Sequence, residues 1–136
     1  MIMNKGETML KKLFVILGVC CIITALLVAC GSGSNTSAGP NPVHMSGTNF
    51  VQNSITIKKG EHITLINDDL FGSHTIANGT WENSTAKPAR EAGAPEIKDV
   101  QIGGNSSATL GPFTTAGIYK LYCTVHAGMN LTVNVQ

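Results

Sequence analysis

Charged side chains are scarce in this chain of 136 residues, where Asp, Glu, Lys and Arg together form 12% of the sequence. Nine basic residues face eight acidic ones, so the formal net charge at pH 7 is +1. The basic residues form no patch or stripe of the kind that nucleic-acid binding requires, and no nucleic-acid partner is expected. The length is that of one domain of ordinary size.

Helical periodicity is missing from residues 43–136, where no apolar stripe of helical spacing extends beyond one turn. Short alternating runs take its place, and Gly, Asn-Asp and Pro signals separate them. The clearest runs are SITIKKGEHITLIND at residues 54–68, IYKLYC at 118–123 and LTVNV at 131–135. This pattern predicts an all-β domain, either a β-sandwich or a barrel.

Residues 77–105 are the least regular part of this domain, and they include Pro88 and Pro95. A structureless loop of about thirty residues would be unusual inside a small domain. We therefore expect a strand near Ile97–Ile102 and a short helical turn near Lys87–Ala92.

The N-terminal 29 residues have the layout of a secretory signal peptide, whether the chain starts at Met1 or at Met9. Two lysines precede an apolar run over residues 13–29, which ends in small residues. The tetrapeptide LVAC at residues 27–30 resembles a bacterial lipobox, in which Cys30 would become the lipid-modified N-terminus of the mature protein. The alternative is an uncleaved anchor helix, because the run is also about long enough to span a bilayer.

Residues 30–42 would then form the lipidated cysteine and a flexible linker, since the sequence after Cys30 is rich in Gly and Ser. We expect the mature domain to lie outside the cytoplasm, held at the cell membrane by its lipid. That surface is periplasmic or the outer face of the cell, depending on the type of envelope.

Cysteine becomes scarce once the signal peptide is removed. Cys20 and Cys21 leave with it and Cys30 carries lipid, so Cys123 is the one thiol of the mature domain. A lone cysteine in an exported domain has no internal disulfide partner. It is therefore paired elsewhere, reactive or a metal ligand.

The stretch YCTVHAGM at residues 122–129 spaces Cys123, His126 and Met129 three residues apart. A short loop between two neighbouring strands can bring these three side chains to one point. Thiolate with imidazole suits zinc or copper, and a thioether favours copper. Calcium or magnesium would require a cluster of carboxylates, which this loop lacks.

A trigonal copper site needs a second imidazole, and the domain offers His44, His62 and His74. The first two lie on strand faces opposite apolar residues, as surface histidines do. His74 stands in FGSHTI, where a loop becomes a strand at the end of a sandwich, and this position favours it as the ligand.

Each of these residues also has a purely structural interpretation. A C-x-x-H pair alone is a weak signal, a buried cysteine is more often a small apolar residue, and a methionine often fills a core. The unpaired thiol, the His and Met on one loop and a His at a strand edge together predict a metal site.

In these segments the sequence resembles the cupredoxins, small blue-copper proteins of the plastocyanin, amicyanin and pseudoazurin type. The resemblance covers residues 43–136 and includes VHMSGTNF, SITIKKGEHITLIND and YCTVHAGM. It implies an eight-stranded Greek-key β-sandwich and one copper ion. The implied equatorial ligands are His74, Cys123 and His126, with Met129 as the long axial ligand.

Two departures from the family pattern bear on the stiffness of the site. Asn often follows the first ligand His and ties the two ligand loops together, but this chain has Thr75 there. Proline is common inside the ligand loop, where this chain has Val125 and Ala127. Both changes could loosen the loop.

We expect a monomeric one-electron carrier, and the predicted lipid tether would let it shuttle electrons between membrane-associated redox proteins, such as a cytochrome or a terminal oxidase. Four protein ligands leave no vacant metal position for a substrate, so we expect no enzymatic activity. The alternative is a copper chaperone, scavenger or sensor that binds the ion without redox cycling. A structural zinc site is a third interpretation.

Overall fold

The computed structural model describes residues 38–136, so the predicted signal peptide, Cys30 and most of the predicted linker lie outside the described residues. Within that range every regular element is a strand, and no helix there is long and apolar enough to cross a membrane. The ten strands are β1 (Pro42–Ser46), β2 (Asn49–Phe50), β3 (Ser54–Ile57), β4 (Glu61–Asn67), β5 (His74–Glu82), β6 (Thr85–Pro88), β7 (Val100–Ile102), β8 (Ser107–Phe113), β9 (Gly117–Cys123) and β10 (Asn130–Val135).

The strands form two sheets, which confirms the predicted all-β sandwich. One sheet has the order β2-β1-β4-β8, and the other has the order β3-β10-β9-β5-β6 with β7 also paired to β5. The β1–β4 and β3–β10 pairs are parallel, and the other pairs are antiparallel. The count exceeds eight because short segments such as the two-residue β2 and the three-residue β7 are separate strands.

The core lies between the sheets and follows the alternation read from the sequence. In β10 every second residue is buried, beginning with Leu131, because side chains on a strand point alternately to its two faces. Strand β9 buries Tyr119, Leu121 and Cys123 on the inner face and leaves Ile118 exposed. The apolar run that ends in Cys123 therefore carries this residue to the edge of the core.

The segment after β5 departs in part from the prediction. The expected strand near Ile97–Ile102 exists only as β7, and Ile97 is buried just before it. The expected helical turn near Lys87–Ala92 is wrong, because the chain first makes a β5–β6 hairpin. Asn83 and Ser84 adopt positive φ angles of 46° and 61°, as the tight two-residue hairpin turn requires.

Candidate metal centre

Two neighbouring strands bring together the parts of the chain that carry His74 and Cys123. His74 is the first residue of β5 and Cys123 is the last residue of β9. The antiparallel register places Ile76 opposite Cys123. Since His74 lies two residues before Ile76, it points to the same inner face and lies at the same end of the sheet.

Residues 123–129, the ligand loop, turn back on themselves before β10 begins. The Cys123 N–H donates to the carbonyl oxygen of Met129 at 3.0 Å, and the Met129 N–H donates to that of His126 at 3.2 Å. Gly128 allows this turn with a φ of +81°, a conformation that other residues rarely adopt. The loop thereby returns Met129 to the level of Cys123.

Three of the four predicted ligands converge on one point. The Sγ atom of Cys123 lies 3.7 Å from the Nδ1 atom of His74 and 3.4 Å from that of His126. The two Nδ1 atoms are 3.2 Å apart. Among residues 38–136, these three side chains form the group of potential metal ligands that the structure brings together.

The donor triangle has the dimensions that a single ion requires. Bonds of about 2.0–2.1 Å to nitrogen and about 2.3 Å to sulfur are typical of such ions. In a trigonal arrangement they would separate two nitrogens by about 3.5 Å, and nitrogen from sulfur by about 3.8 Å. The observed separations of 3.2, 3.4 and 3.7 Å are close to these values. The residues therefore fit one ion with sulfur and nitrogen ligands.

Burial differs among the four predicted ligands. His74, Cys123 and Met129 have exposed fractions of 2%, 0% and 1%, whereas His126 is only partly buried. Exposed residues, Val125 among them, cover the outer side of the ligand loop. Three of the four predicted ligands are therefore buried, and His126 is the one that is partly exposed.

Asn67 positions the loop that leads into His74, a role that was not foreseen from the sequence. It is 1% exposed, and its Oδ1 atom accepts from the Asp69 N–H at 3.2 Å. Its Nδ2 group donates to the carbonyl oxygens of Gly103 at 3.0 Å and Gly72 at 3.4 Å. The Asn-Asp-Asp stretch indicated a turn, but only the fold shows that its first residue is buried and ties two loops.

The segments that carry His74 and Cys123 remain joined, although Thr75 stands where the family often has Asn. The backbone N–H of Thr124 donates to the carbonyl oxygen of Thr75 at 2.7 Å. This hydrogen bond joins the residue after His74 to the residue after Cys123. It needs no particular side chain, so the tie survives the loss of the usual Asn.

The other two histidines lie outside the donor cluster, as their positions on the strands predicted. The Nδ1 atom of His44 lies 2.9 Å from the Asp68 carboxylate on a partly exposed part of the surface. His62 lies on β4 and is also partly exposed.

Electrostatics keep the His74 imidazole in the form that binds metals. Burial lowers the pKa of His74 below its ordinary value of 6.5, and the neighbouring His126 lowers this pKa further. Asp69 acts in the opposite direction with a smaller effect. A neutral imidazole has the lone pair that a metal needs, so the apoprotein offers this donor at neutral pH.

A β-sandwich with a buried thiol and two imidazoles at one end defines a small metal-binding protein with sulfur and nitrogen ligands. Residues 41–136 match the family model of copper binding proteins, plastocyanin/azurin family. The chain belongs to this family, the cupredoxins. Its members bind one copper ion and are electron carriers rather than enzymes, in agreement with the expected cofactor.

Individual relatives agree with this assignment. A plastocyanin from Ulva prolifera is 33% identical over 89 residues, which cover 64% of this chain and 86% of the plastocyanin. A reduced Cu(I) form of an amicyanin mutant at pH 4 aligns with a TM-score of 0.55 and 22% identity, covering 75% of this chain and 87% of the amicyanin. Amicyanin from Paracoccus versutus aligns with a TM-score of 0.53 and 21% identity, covering 74% and 94%. The amicyanin alignments support the fold alone.

The lowered pKa of His74 predicts an acid-sensitive apoprotein. Below about pH 6.5 the unfolded chain protonates this imidazole while the folded protein does not, so the free energy of unfolding should fall as the pH decreases from there towards the folded-state pKa. Urea unfolding of the metal-free protein between about pH 7.5 and about pH 5 measures this effect. His74→Gln should reduce the pH dependence and His62→Gln should leave it in place; equal slopes in all three proteins would contradict the prediction.

Proposed function

We propose that this protein is a one-electron carrier with a mononuclear type 1 copper site, held by His74, Cys123, His126 and Met129. The convergence of the Cys123 sulfur and two imidazole nitrogens within 3.7 Å of one another, on a cupredoxin fold, is the observation that carries the proposal. When bound, copper would supply the exchange of one electron between its Cu(I) and Cu(II) states. The trigonal His₂Cys set with a weak axial thioether is the ligand set of electron-transfer copper.

The side chains around the site support electron transfer more than substrate chemistry. Four donors would complete the coordination of the ion, and an open position is what metal catalysis requires. The sulfur of Cys123 lies in the apolar core, and Met129 is buried at the same end of the sandwich. Such an apolar environment and a thioether both favour the less charged Cu(I) ion and raise the reduction potential.

The partly buried His126 imidazole would be the place where electrons enter and leave. Large apolar side chains are exposed on the segments that carry the site: Leu70 has an exposed fraction of 73%, Phe71 of 88% and Val125 of 60%. A small contact surface made of such side chains suits brief encounters between redox proteins. A cytochrome or a terminal oxidase is the class of partner that we propose for a monomeric carrier.

Loading the protein with copper tests the ligand assignment. Anaerobic addition of Cu(II) to residues 38–136 should give an intense thiolate-to-copper absorption band, a reversible redox couple and rapid electron exchange with a cytochrome. Cys123→Ser and His74→Gln should lose the intense band, whereas His44→Gln should keep it. A colourless, air-stable Cu(I) complex would instead support a chaperone, scavenger or sensor, and preference for zinc would support a structural site.

Replacement of the thioether tests the proposed axial ligand. Met129→Gln should keep coloured copper but have a lower reduction potential, since an amide oxygen favours Cu(II) more than a thioether does. Leu131→Met, which changes an apolar core residue two positions away, should move the potential much less. An unchanged potential in Met129→Gln would remove this residue from the ligand set.

We also propose that the domain is anchored outside the cytoplasm through a lipid on Cys30. The basis is the LVAC tetrapeptide and the Gly/Ser-rich segment that follows it. A flexible tether would keep the domain at high effective concentration near membrane-bound partners.

Fractionation of cells that express the full chain tests the anchor. The unaltered protein should be found in the membrane fraction, and Cys30→Ala should shift it towards the soluble fraction or leave an uncleaved precursor of higher mass. A Cys20→Ala control should behave as the unaltered protein. If both variants remain at the membrane with unchanged mass, an uncleaved anchor helix would replace the lipid.

A further inference from the structure

Trp81 is the only tryptophan of the chain, and it bonds to Cys123, the first residue of the ligand loop, and to Asn130, the residue after the loop. Its indole Nε1–H donates to the carbonyl oxygen of Cys123 at 2.7 Å. Its backbone N–H donates to the Oδ1 atom of Asn130 at 2.7 Å, and its carbonyl oxygen accepts from the Nδ2 group of Asn130 at 3.0 Å. Asn130 directly follows Met129, so these three hydrogen bonds, the Trp81 clamp, hold the backbone beside both sulfur-bearing residues.

The path of β5 explains how Trp81 reaches the loop. β5 pairs with β9 only through Asn78, and from Gly79 onwards it pairs with β6. Gly79 has a φ of +133°, and a Cβ atom there would clash with the carbonyl oxygen of Lys87 and lie 2.9 Å from the Tyr122 ring. This residue therefore has to be glycine for the hairpin to approach β9 so closely.

The packing of the indole ring fixes the direction of its N–H group. The rings of Trp81 and Tyr122 lie edge to face, with centroids 6.0 Å apart. Tyr122 precedes Cys123 and pairs with Asn130 across the β9–β10 ladder. The β5–β6 hairpin and the Trp81–Tyr122 pair thus lie beside Cys123 and Asn130, the residues at which β9 ends and β10 begins.

We propose that Trp81 and Asn130 are positioning residues, which hold the ligand loop in its metal-binding arrangement before any metal is present. The inference rests on the proposed function and deepens it. Val125 and Ala127 leave the loop without internal proline, so its restraint comes from its own backbone hydrogen bonds and from contacts outside it. The clamp supplies such restraint on the carbonyl group of Cys123 and on the residue after Met129.

The expected effect follows from population arithmetic. When only a fraction of the apoprotein has the binding arrangement, the apparent dissociation constant rises by the inverse of that fraction. Loss of one ordinary hydrogen bond corresponds to about a threefold to tenfold change in such an equilibrium. A residue with a purely structural role would weaken the apo and copper-loaded forms equally and leave copper affinity unchanged.

Trp81→Phe tests the clamp with little other change, because it keeps an aromatic ring and both backbone bonds to Asn130 but removes the indole N–H. Asn130→Leu removes the other two bonds at similar side-chain size. Tyr122→Phe is the matched control, because it alters the same aromatic pair but keeps the ring and all three hydrogen bonds of the clamp.

Two measurements decide the outcome. In the metal-free protein, amide hydrogen exchange of residues 124–130 should be about threefold to tenfold faster in Trp81→Phe and Asn130→Leu than in the unaltered chain and the control. Competition for Cu(I) with a chromophoric chelator should show copper binding weakened by up to the same factor, because the apparent dissociation constant rises only as the binding-competent fraction falls. Unchanged exchange and affinity in both variants would overturn the proposal. If the unaltered protein lacks the thiolate-to-copper band, the proposed function fails, while the exchange measurement still decides on the clamp.

Discussion

The antiparallel pairing of β5 with β9 is the interaction on which the site depends, because it joins two donors that are 49 residues apart in the chain. The register is fixed by the core, since Ile76 and Leu121 must both face inwards. A slip of one residue would turn His74 and Ile76 to the outer face. The burial of apolar residues on these two strands therefore also holds the His74 imidazole beside the Cys123 thiol.

This arrangement places polar groups in contact at the edge of an apolar core, where polar atoms need partners. The two Nδ1 atoms are 3.2 Å apart, and only one of them can donate a proton to the other. Protonation of both rings would bring two positive charges together, and after burial this repulsion is the second cause that lowers the pKa of His74. A metal cation that prefers sulfur and nitrogen ligands would remove this repulsion, because both imidazoles could bind it in their neutral form. Local violations of otherwise consistent packing are expected at functional sites.

Much of the fold and the composition of the site could be predicted from the sequence, because both depend on local patterns. Strict alternation in LTVNV and IYKLYC sets the buried faces, and C-x-x-H-x-x-M places three donors on one short loop. The supporting contacts could not be predicted in this way. The clamp between Trp81 and Asn130 joins residues 49 apart through a hairpin whose turn, Asn83-Ser84, is a weaker signal than Asn-Gly.

The burial of the Asn67 side chain could not be predicted from the sequence for a similar reason. An Asn before two aspartates is typical of an exposed turn, and only long-range packing makes its side chain a buried tie between loops. Buried polar residues of this kind have no periodic signature, because their partners are backbone groups brought close by tertiary structure.

The protein holds the four proposed ligands to different degrees, and this difference is consistent with electron transfer. Strands hold His74 and Cys123, and backbone hydrogen bonds close the loop that carries Met129. The donor positions are thus set by the protein, so little rearrangement is needed when the charge at the centre changes by one. Of the four proposed ligands, only His126 is partly exposed. A site built in this way keeps three of its four proposed ligands buried, and it leaves His126 partly exposed at the surface.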